Sequence, residues 1–167
     1  MSIISTDLLY LLSGGASNNN PNASLGGVVS SVEVVDNTLN NLFDDVSGDE
    51  HEAGDTEYRA IFIKNNHGTD TAYNVKIWIE SNTTAADDSI QIGKEADFGS
   101  PIQTIVNEST APVAIDFSTA DGQVNAISIG DMAASQVIGI WVKRIVVTGN
   151  TPQAENAATL KIYTDVV

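Results

Sequence analysis

The densest group of potentially reactive side chains is an acidic segment, residues 44–57, with the sequence DDVSGDEHEAGDTE. Carboxylate oxygens crowded on a glycine-containing loop are the ligands that Ca²⁺ prefers, and two of them could act as an acid/base pair. The glycine and the last glutamate do not fall where an EF-hand needs them, so a solvated acidic loop is the interpretation that we favour. The candidate Ca²⁺ ligands are Asp44, Asp45, Asp49, Glu50 and Asp55.

The two histidines offer a second set of candidates. His51 lies in the acidic segment, and His67 lies in the turn-rich segment NNHGTD. A catalytic pair or a metal site could be built from them, but exposed loop histidines are the more frequent outcome. No H-E-x-x-H, G-x-S-x-G, G-x-G-x-x-G or P-loop pattern occurs. We therefore predict a protein that is not an enzyme, with no catalytic residue and no cofactor.

The two tryptophans, Trp78 and Trp141, each fall inside a predicted strand. Either could stack on a sugar ring, although a role in a core or an interface is more usual for a tryptophan in the middle of a strand. Trp78 alternates with apolar neighbours and so lies on the more polar face of its strand. It is the better candidate for contact with a partner.

The net charge of −15 excludes several classes of partner. Ten acidic residues and no lysine or arginine precede Arg59, and Lys143-Arg144 is the only pair of adjacent basic residues. Such a chain repels polyanions, so we expect no binding to nucleic acid. The absence of cysteine excludes disulfides and thiolate metal sites. No apolar run approaches the ~20 residues that span a membrane, and residues 1–12 lack the form of a signal peptide, so we expect no membrane association.

The strands that could position these residues are recognised by apolar and polar side chains that alternate every second residue. In the segment EYRAIFIKNNHGTDTAYNVKIWIE, residues 57–80, Tyr73, Val75, Ile77 and Ile79 alternate with polar neighbours, and Gly68 lies in the turn between two runs. This pattern predicts an antiparallel hairpin that closes a sandwich core. With turn signals between them, the predicted strands of residues 57–167 are 57–65, 72–81, 89–93, 102–107, 112–118, 124–129, 136–148 and 158–166. The fold class is an all-β antiparallel sandwich, immunoglobulin-like or jelly-roll-like.

Residues 1–56 differ in composition and are predicted to form an N-terminal arm, separate from a sandwich domain of residues 57–167. The arm has a strand in 3–12, a Gly/Asn-rich segment in 13–27, a strand in 28–35, and a short helix on Leu39, Leu42, Phe43 and Val46. It either packs along its own sandwich or extends to order against a neighbouring subunit. For the extended arm, deleting residues 1–35 should leave the sandwich folded.

Five segments carry a resemblance to a known family: LSGGASNNNPNASLGG (12–27), residues 42–65, the 66–79 turn and strand, NESTAPVAIDF (107–117) and IGDMAASQVIGIWVKRIV (129–146). Together they resemble small virion structural proteins of tailed bacteriophages, while the 66–79 segment is similar to immunoglobulin-like adhesion modules. The resemblance implies a capsid decoration (cement) protein, located in the virion and assembled in the host cytoplasm. Its implied partners are the major capsid protein or another virion protein, and further copies of itself in a homo-oligomer. Our candidate partner-binding residues are Leu12, Gly14, Gly15, Asn20, Pro21, Leu25, Gly26, Gly27 and Trp78.

Two alternatives remain open from the sequence. One is a neck or tail accessory protein of the same kind of particle. The other is a cell-surface adhesion or carbohydrate-binding sandwich module, with Ca²⁺ in the acidic segment and Trp78 against the glycan.

Overall fold

The computed structural model describes residues 3–148 and 156–165. Within those residues the chain forms seven strands, one short α-helix and three 3₁₀ turns, which confirms the predicted all-β antiparallel fold. The helix, α1, spans Gly48–Ala53. The strands are β1 (Leu8–Leu12), β2 (Asp55–Asn65), β3 (Ala72–Ser81), β4 (Asp88–Phe98), β5 (Ile127–Met132), β6 (Val137–Val146) and β7 (Thr159–Asp165).

The strands form two antiparallel sheets. One sheet has four strands in the order β1-β2-β6-β4, and the other has three in the order β5-β3-β7. Aliphatic side chains that alternate along the strands fill the space between the sheets, as the period of two requires. This main core includes Ile61, Ile63, Val75, Ile77, Ile79, Ile92, Ile138, Ile140 and Val142.

The predicted hairpin between β2 and β3 is wrong, because the two strands belong to different sheets. The connection is held by Asn65, whose buried side-chain amide donates to the carbonyls of Asp70 and Met132, both at 2.9 Å. His67 Nδ1 accepts from the backbone N–H of Asp70 at 2.9 Å. These bonds tie the connection to the end of β5, so the chain arches from one sheet to the other.

The alternation predicted for β3 holds at Val75, Ile77 and Ile79 but fails at Tyr73, which is 43% exposed. Asn74 adopts a φ of 52°, in the left-handed region, and the register with β5 shifts between Ala72 and Val75. This irregularity adds a residue to one strand and so changes which side chain faces inward. Ala72 is therefore buried where Tyr73 was expected.

The helix predicted around Leu39–Val46 is also wrong. Asn37 and Asn40 have φ values of 53° and 57°, and the left-handed conformation interrupts a right-handed helix. The helix forms instead within the acidic segment. There Ser47 Oγ accepts from the backbone N–H of Glu50, and the Glu50 carboxylate accepts from the backbone N–H of Ser47, which is a capping box.

Several predicted strands have different bounds or are absent. The segments 28–35, 102–107 and 112–118 contribute no strand, although Glu33, Thr104 and Ser118 each form an isolated bridge. Residues 89–93 belong to the longer β4, and the strand predicted at 124–129 begins and ends later, as β5. The end of the last predicted strand, residue 166, and the turn predicted at 149–152 lie outside the described residues.

A layer of irregular chain, which we call the cover layer, consists of residues 13–31 and 99–115. Its two segments are joined by backbone hydrogen bonds, from Gly27 N–H to Gln103 O at 3.2 Å and from Ile105 N–H to Leu25 O at 3.0 Å. It continues the pairing of β2 beyond the end of β1, because Ala60 N–H donates to Ser24 O at 2.8 Å and Tyr58 N–H to Glu108 O at 2.7 Å. In this chain the N-terminal segment thus packs on its own sandwich.

A second, smaller hydrophobic core lies between the cover layer and the outer face of the four-stranded sheet. Its buried members are Tyr58, Ala60, Ile105 and Trp141, with Leu25, Ile102, Ile115 and Phe117 packed around them. Gly26 allows the closest approach between the two segments of the layer, because a Cβ atom there would lie 2.0 Å from Gln103 O, and its φ is 91°. The glycine-rich composition of residues 13–27 therefore reflects close backbone contact.

Substitution of Gly93 should separate the cover layer from the sheet. A Cβ atom on this β4 residue would lie 2.5 Å from Ile115 Cγ2 and 2.8 Å from the backbone oxygen of Asp116. We expect Gly93→Ala to lower the free energy of unfolding by about 1–3 kcal/mol, the usual cost of overpacking. Chemical denaturation would measure it. Gly68→Ala, at a site with open space around the position of Cβ, is the control, and equal stability of Gly93→Ala and the parent would contradict the packing described.

Candidate functional sites: the acidic segment and the cover layer

The acidic segment packs over two buried arginines at one end of the sandwich. β2 presents Glu57 and Arg59 in the alternating series that continues with Ile61, and β6 presents Arg144 in series with Val142. These side chains therefore lie on the inner face of the four-stranded sheet. Glu57 and Arg144 are direct neighbours in the register of β2 and β6.

Each arginine binds carboxylates from more than one part of the chain. Arg144 Nε donates to Glu57 Oε2 at 2.5 Å, and Arg144 Nη1 donates to the backbone oxygen of Asp44 at 2.6 Å. Arg59 Nη2 pairs with the Glu108 carboxylate. Asp44 Oδ1 lies 3.9 Å from Arg59 Nη2 and 3.7 Å from Arg144 Nη2. The two guanidinium groups thus join β2, β6, the acidic segment and the cover layer.

Phe43 completes this cluster. The guanidinium carbons of Arg59 and Arg144 lie 5.4 Å and 4.9 Å from the centre of its ring, within the range of a cation–π contact. Burial raises the pKa of Glu57, and the positive charge and hydrogen bond of Arg144 oppose that rise. A buried carboxylate held beside two guanidinium groups is typical of a structural ion pair.

The structure separates the five candidate Ca²⁺ ligands. The ligand atoms of Glu50 and Asp55 come within 4.8 Å of one another and of Glu57, while Asp44 groups with Glu57 and Glu108. Glu57 and Asp44 contact the arginines described above. Glu50 caps α1, where a backbone hydrogen bond from Ser47 lowers its pKa, and Asp49 lies in the first turn of the same helix. Asp45 belongs to neither group. The prediction of a Ca²⁺ site stays a prediction.

The histidines are held in separate structural contacts. His51 Nε2 lies 2.9 Å from Asp87 Oδ2, which ties α1 to the residue before β4. His67 lies in the arch between β2 and β3, where Nδ1 accepts backbone N–H groups and Nε2 is 3.8 Å from Asp70 Oδ2. Among the described residues, neither histidine ring is hydrogen-bonded to a serine or threonine hydroxyl that it could activate as a base. The Thr69 hydroxyl, next to His67, donates to Asp70 Oδ1 at 2.8 Å.

The tryptophans lie on the outer faces of different sheets. Trp78, on β3, is only 6% exposed, and its indole N–H donates to Glu80 Oε2 at 2.6 Å, while Glu80 Oε1 accepts from Lys161 at 2.8 Å. A partner would reach most of this indole only after covering side chains moved. Trp141, on β6, is fully buried beneath the cover layer, and its indole N–H donates to Glu95 Oε1 at 2.8 Å.

The remaining candidate partner-binding residues belong to the cover layer or to the strand that leads into it. Gly14 and Asn20 are exposed, and Gly15, Pro21, Leu25 and Gly27 are partly buried. Leu12 and Gly26 are buried, so a partner could not contact them directly, and they pack beneath the residues that form the surface. Asn20 also caps the 3₁₀ turn Pro21–Ala23.

Sequence reasoning missed the second half of the cover layer. Gln103 Nε2 donates to Glu95 Oε1 and to the backbone oxygen of Val113, each at 3.0 Å, and Gln103 Oε1 accepts from the backbone N–H of Val113 at 2.7 Å. One glutamine thus links β4 to both ends of the 99–115 segment. The absence of charge in residues 13–31 and 99–107 was the signal available in the sequence.

One open depression, lined by residues 95–103, lies at the border of the cover layer. Its wall includes Glu95, Asp97 and Gln103, and Glu95 is bound to Trp141 and Gln103. The arrangement provides a shallow polar surface rather than an enclosed substrate cavity.

Comparisons of the chain with protein-family models, curated protein sequences and solved structures gave no match. Among the described residues, no helix is both long and apolar enough to cross a membrane. The geometry defines the molecule as a β-sandwich. At one end of the sandwich two buried arginines are paired with carboxylates, and the cover layer packs on the outer face of the four-stranded sheet.

Proposed function

We propose that the protein is a structural component of a tailed-bacteriophage particle, and that it acts as a capsid decoration protein by binding the assembled shell. The proposal rests on the resemblance of five sequence segments to small virion structural proteins and on the character of the fold. It involves binding alone, with no turnover of a substrate.

The distribution of charge is the observation that carries this proposal. The two arginines of the chain are paired with Glu57, Glu108 and Asp44, and most of the excess negative charge lies outside this cluster. A strongly acidic exterior keeps particles apart in solution. The cover layer carries one charged side chain, Glu108, which is paired with Arg59, so another protein can approach this surface while burying little charge.

Copy number in purified particles tests the proposal. Particles propagated from the source of this sequence should contain hundreds of copies by quantitative mass spectrometry, and cryo-electron microscopy should place the sandwich on the shell. Six or twelve copies would replace decoration by a neck or tail role. Absence from the particles would overturn the proposal.

A binding assay with the purified chain is the second arm of this test. The intact protein, added to shells that lack it, should co-sediment with them. Deletion of residues 1–35 is unsuitable as a probe of docking, because it removes β1 and the partners of Ala60 and exposes the edge of β2. Point substitutions on exposed side chains are the proper variants.

A further inference from the structure

The arch between β2 and β3 holds its histidine in one protonation state. The backbone N–H of Asp70 donates to His67 Nδ1 at 2.9 Å, and that of Thr69 donates to the same nitrogen at 3.3 Å. A backbone N–H can only donate, so Nδ1 must be an acceptor that carries no proton. The hydrogen bonds therefore assign the proton of the neutral ring to Nε2.

This arch is a junction of several elements. The backbone N–H of Asn66 donates to the backbone oxygen of Asp7, in the first 3₁₀ turn, at 2.7 Å. The buried amide of Asn65 donates to the carbonyls of Asp70 and Met132, both at 2.9 Å. The ring nitrogen binds the N–H of Asp70 while the Asn65 amide binds its C=O, so loss of the bond to the ring would loosen a contact that joins both sheets.

We propose that His67 is an acid-sensitive latch, and that protonation of its ring releases the arch. The second proton of an imidazolium lies on Nδ1, which then becomes a donor that faces the N–H groups of Thr69 and Asp70. The donors repel one another, and both backbone groups lose their acceptor. Imidazole takes up this proton between about pH 5 and pH 8, and the His67 side chain is 17% exposed, so water reaches it.

Asp70 is the charged group that opposes this release. Its Oδ2 lies 3.8 Å from His67 Nε2 and would attract the protonated ring. The Asp70 side chain is 37% exposed, however, and an ion pair so open to water contributes little. A hydrogen bond from the Thr69 hydroxyl lowers the pKa of Asp70, with smaller contributions from the amino terminus and from His67. Attraction to Asp70 therefore does not replace the two bonds that the ring loses.

Further charged groups on the neighbouring elements are Asp7, Asp131 and Lys64. The carboxylates of Asp7 and Asp131 each accept from a nearby backbone N–H group. Lys64 precedes the buried Asn65 on β2, so by strand alternation it points to the opposite face of the sheet. Within the described part of the chain, the ion-pair contact of the ring is with Asp70.

Hydrogen exchange of the Asp70 amide, followed by NMR on the intact chain, tests the latch. Its protection factor, corrected for the intrinsic pH dependence of exchange, should fall at least about fivefold from pH 7.5 to pH 5.5, because the amide loses its acceptor. Long-range ¹⁵N spectra of the ring should show Nδ1 without a proton at pH 7.5. An equal protection factor at both pH values, or a proton on Nδ1 at pH 7.5, would overturn the proposal.

His67→Asn is the matched variant. Its Oδ1 takes the place of Nδ1 and accepts from the following backbone N–H groups at either pH. The protection of the Asp70 amide should then change by less than about twofold between pH 7.5 and pH 5.5. A pH-dependent loss as large as that of the parent would assign the effect to another group and overturn the proposal.

Two controls complete the series. His67→Gln carries its oxygen one bond further from the backbone and should leave the Asp70 amide weakly protected at both pH values. His51→Asn removes the other histidine and should keep the pH dependence of the parent, so its loss in this variant would contradict the latch. Circular dichroism checks that each variant is folded. The latch lies within one copy of the chain, so these outcomes do not depend on binding to a particle.

Discussion

Replacing Arg144 with methionine should destabilise the protein by about 3–5 kcal/mol at neutral pH, the usual cost of removing one partner of a buried ion pair. Glu57 is almost fully buried, and Arg144 donates to its carboxylate. Methionine keeps much of the length of the side chain but removes the charge and every donor. The Glu57 carboxylate would then lose its nearest counter-charge in a site that excludes water. Urea denaturation of parent and variant measures the difference.

The pH dependence of that difference identifies its cause. Burial raises the pKa of Glu57, and removal of Arg144 takes away the main opposing interaction. A carboxyl group whose pKa is higher in the folded state binds more protons when folded, so its unfavourable contribution to stability diminishes as pH falls through that raised pKa. We therefore expect the difference between variant and parent to be larger at pH 7.5 than at pH 5.

Two further variants act as controls for Arg144→Met. Glu57→Leu combined with Arg144→Met removes both partners and should recover most of the lost stability, since apolar replacement of a whole buried pair is often neutral. Lys161→Met breaks the half-exposed pair with Glu80 and should change stability by less than about 1 kcal/mol. A loss below about 1 kcal/mol in Arg144→Met itself would contradict the structural role of the pair.

Replacing Trp141 with alanine should cost about 3–5 kcal/mol, the range for large aromatic residues removed from a core. Trp141 is the largest side chain of the second core, and its indole N–H binds Glu95, which also accepts from Gln103. The substitution would leave a cavity under the cover layer and remove one bond of the network that holds it. Denaturation followed by far-UV circular dichroism measures the loss.

Limited proteolysis shows where the Trp141→Ala variant loosens. Trypsin has no site inside residues 13–31 or 99–115, because neither contains lysine or arginine. A protease that cleaves before apolar residues should therefore cut the cover layer of Trp141→Ala faster than that of the parent. Trp78→Ala, a substitution of the same size on the other sheet, should leave cleavage of the cover layer at the rate of the parent. Accelerated cleavage of the layer by both variants would mean that it opens only with the whole sandwich.

The sequence predicted the fold best where side chains alternate over many residues. β3 has the predicted bounds, and β2 and β6 differ from prediction by two residues or fewer at each end, because each combines β-branched residues with a buried face. The arch between β2 and β3 was missed because a turn-rich segment permits both a hairpin and a crossing between sheets. Asn65 decides between them through bonds to the end of β5, and such distant contacts leave no local pattern.

The functional surface was predicted less completely than the fold. The Gly/Asn-rich segment was recognised as a docking candidate, but its packing against residues 99–115 depends on backbone contact at Gly26 and on the bonds of Gln103. The acidic segment was predicted from the sequence, but its arginine partners were not, because Arg59 and Arg144 are far from Asp44 along the chain. The pairing of β2 with β6 brings these groups together, and amino-acid composition does not predict which strands pair.

The order of strands in the larger sheet has a consequence for folding. β2 lies between β1 and β6, and three other strands separate β2 from β6 along the chain. During synthesis, at about 5–20 residues per second, β2 must wait until residues 137–146 have left the ribosome before its inner edge is paired. Structures dominated by such distant pairings fold in milliseconds to seconds. The unfinished chain therefore exposes an apolar strand edge for much of its synthesis, and its strong negative charge helps to keep nascent copies apart.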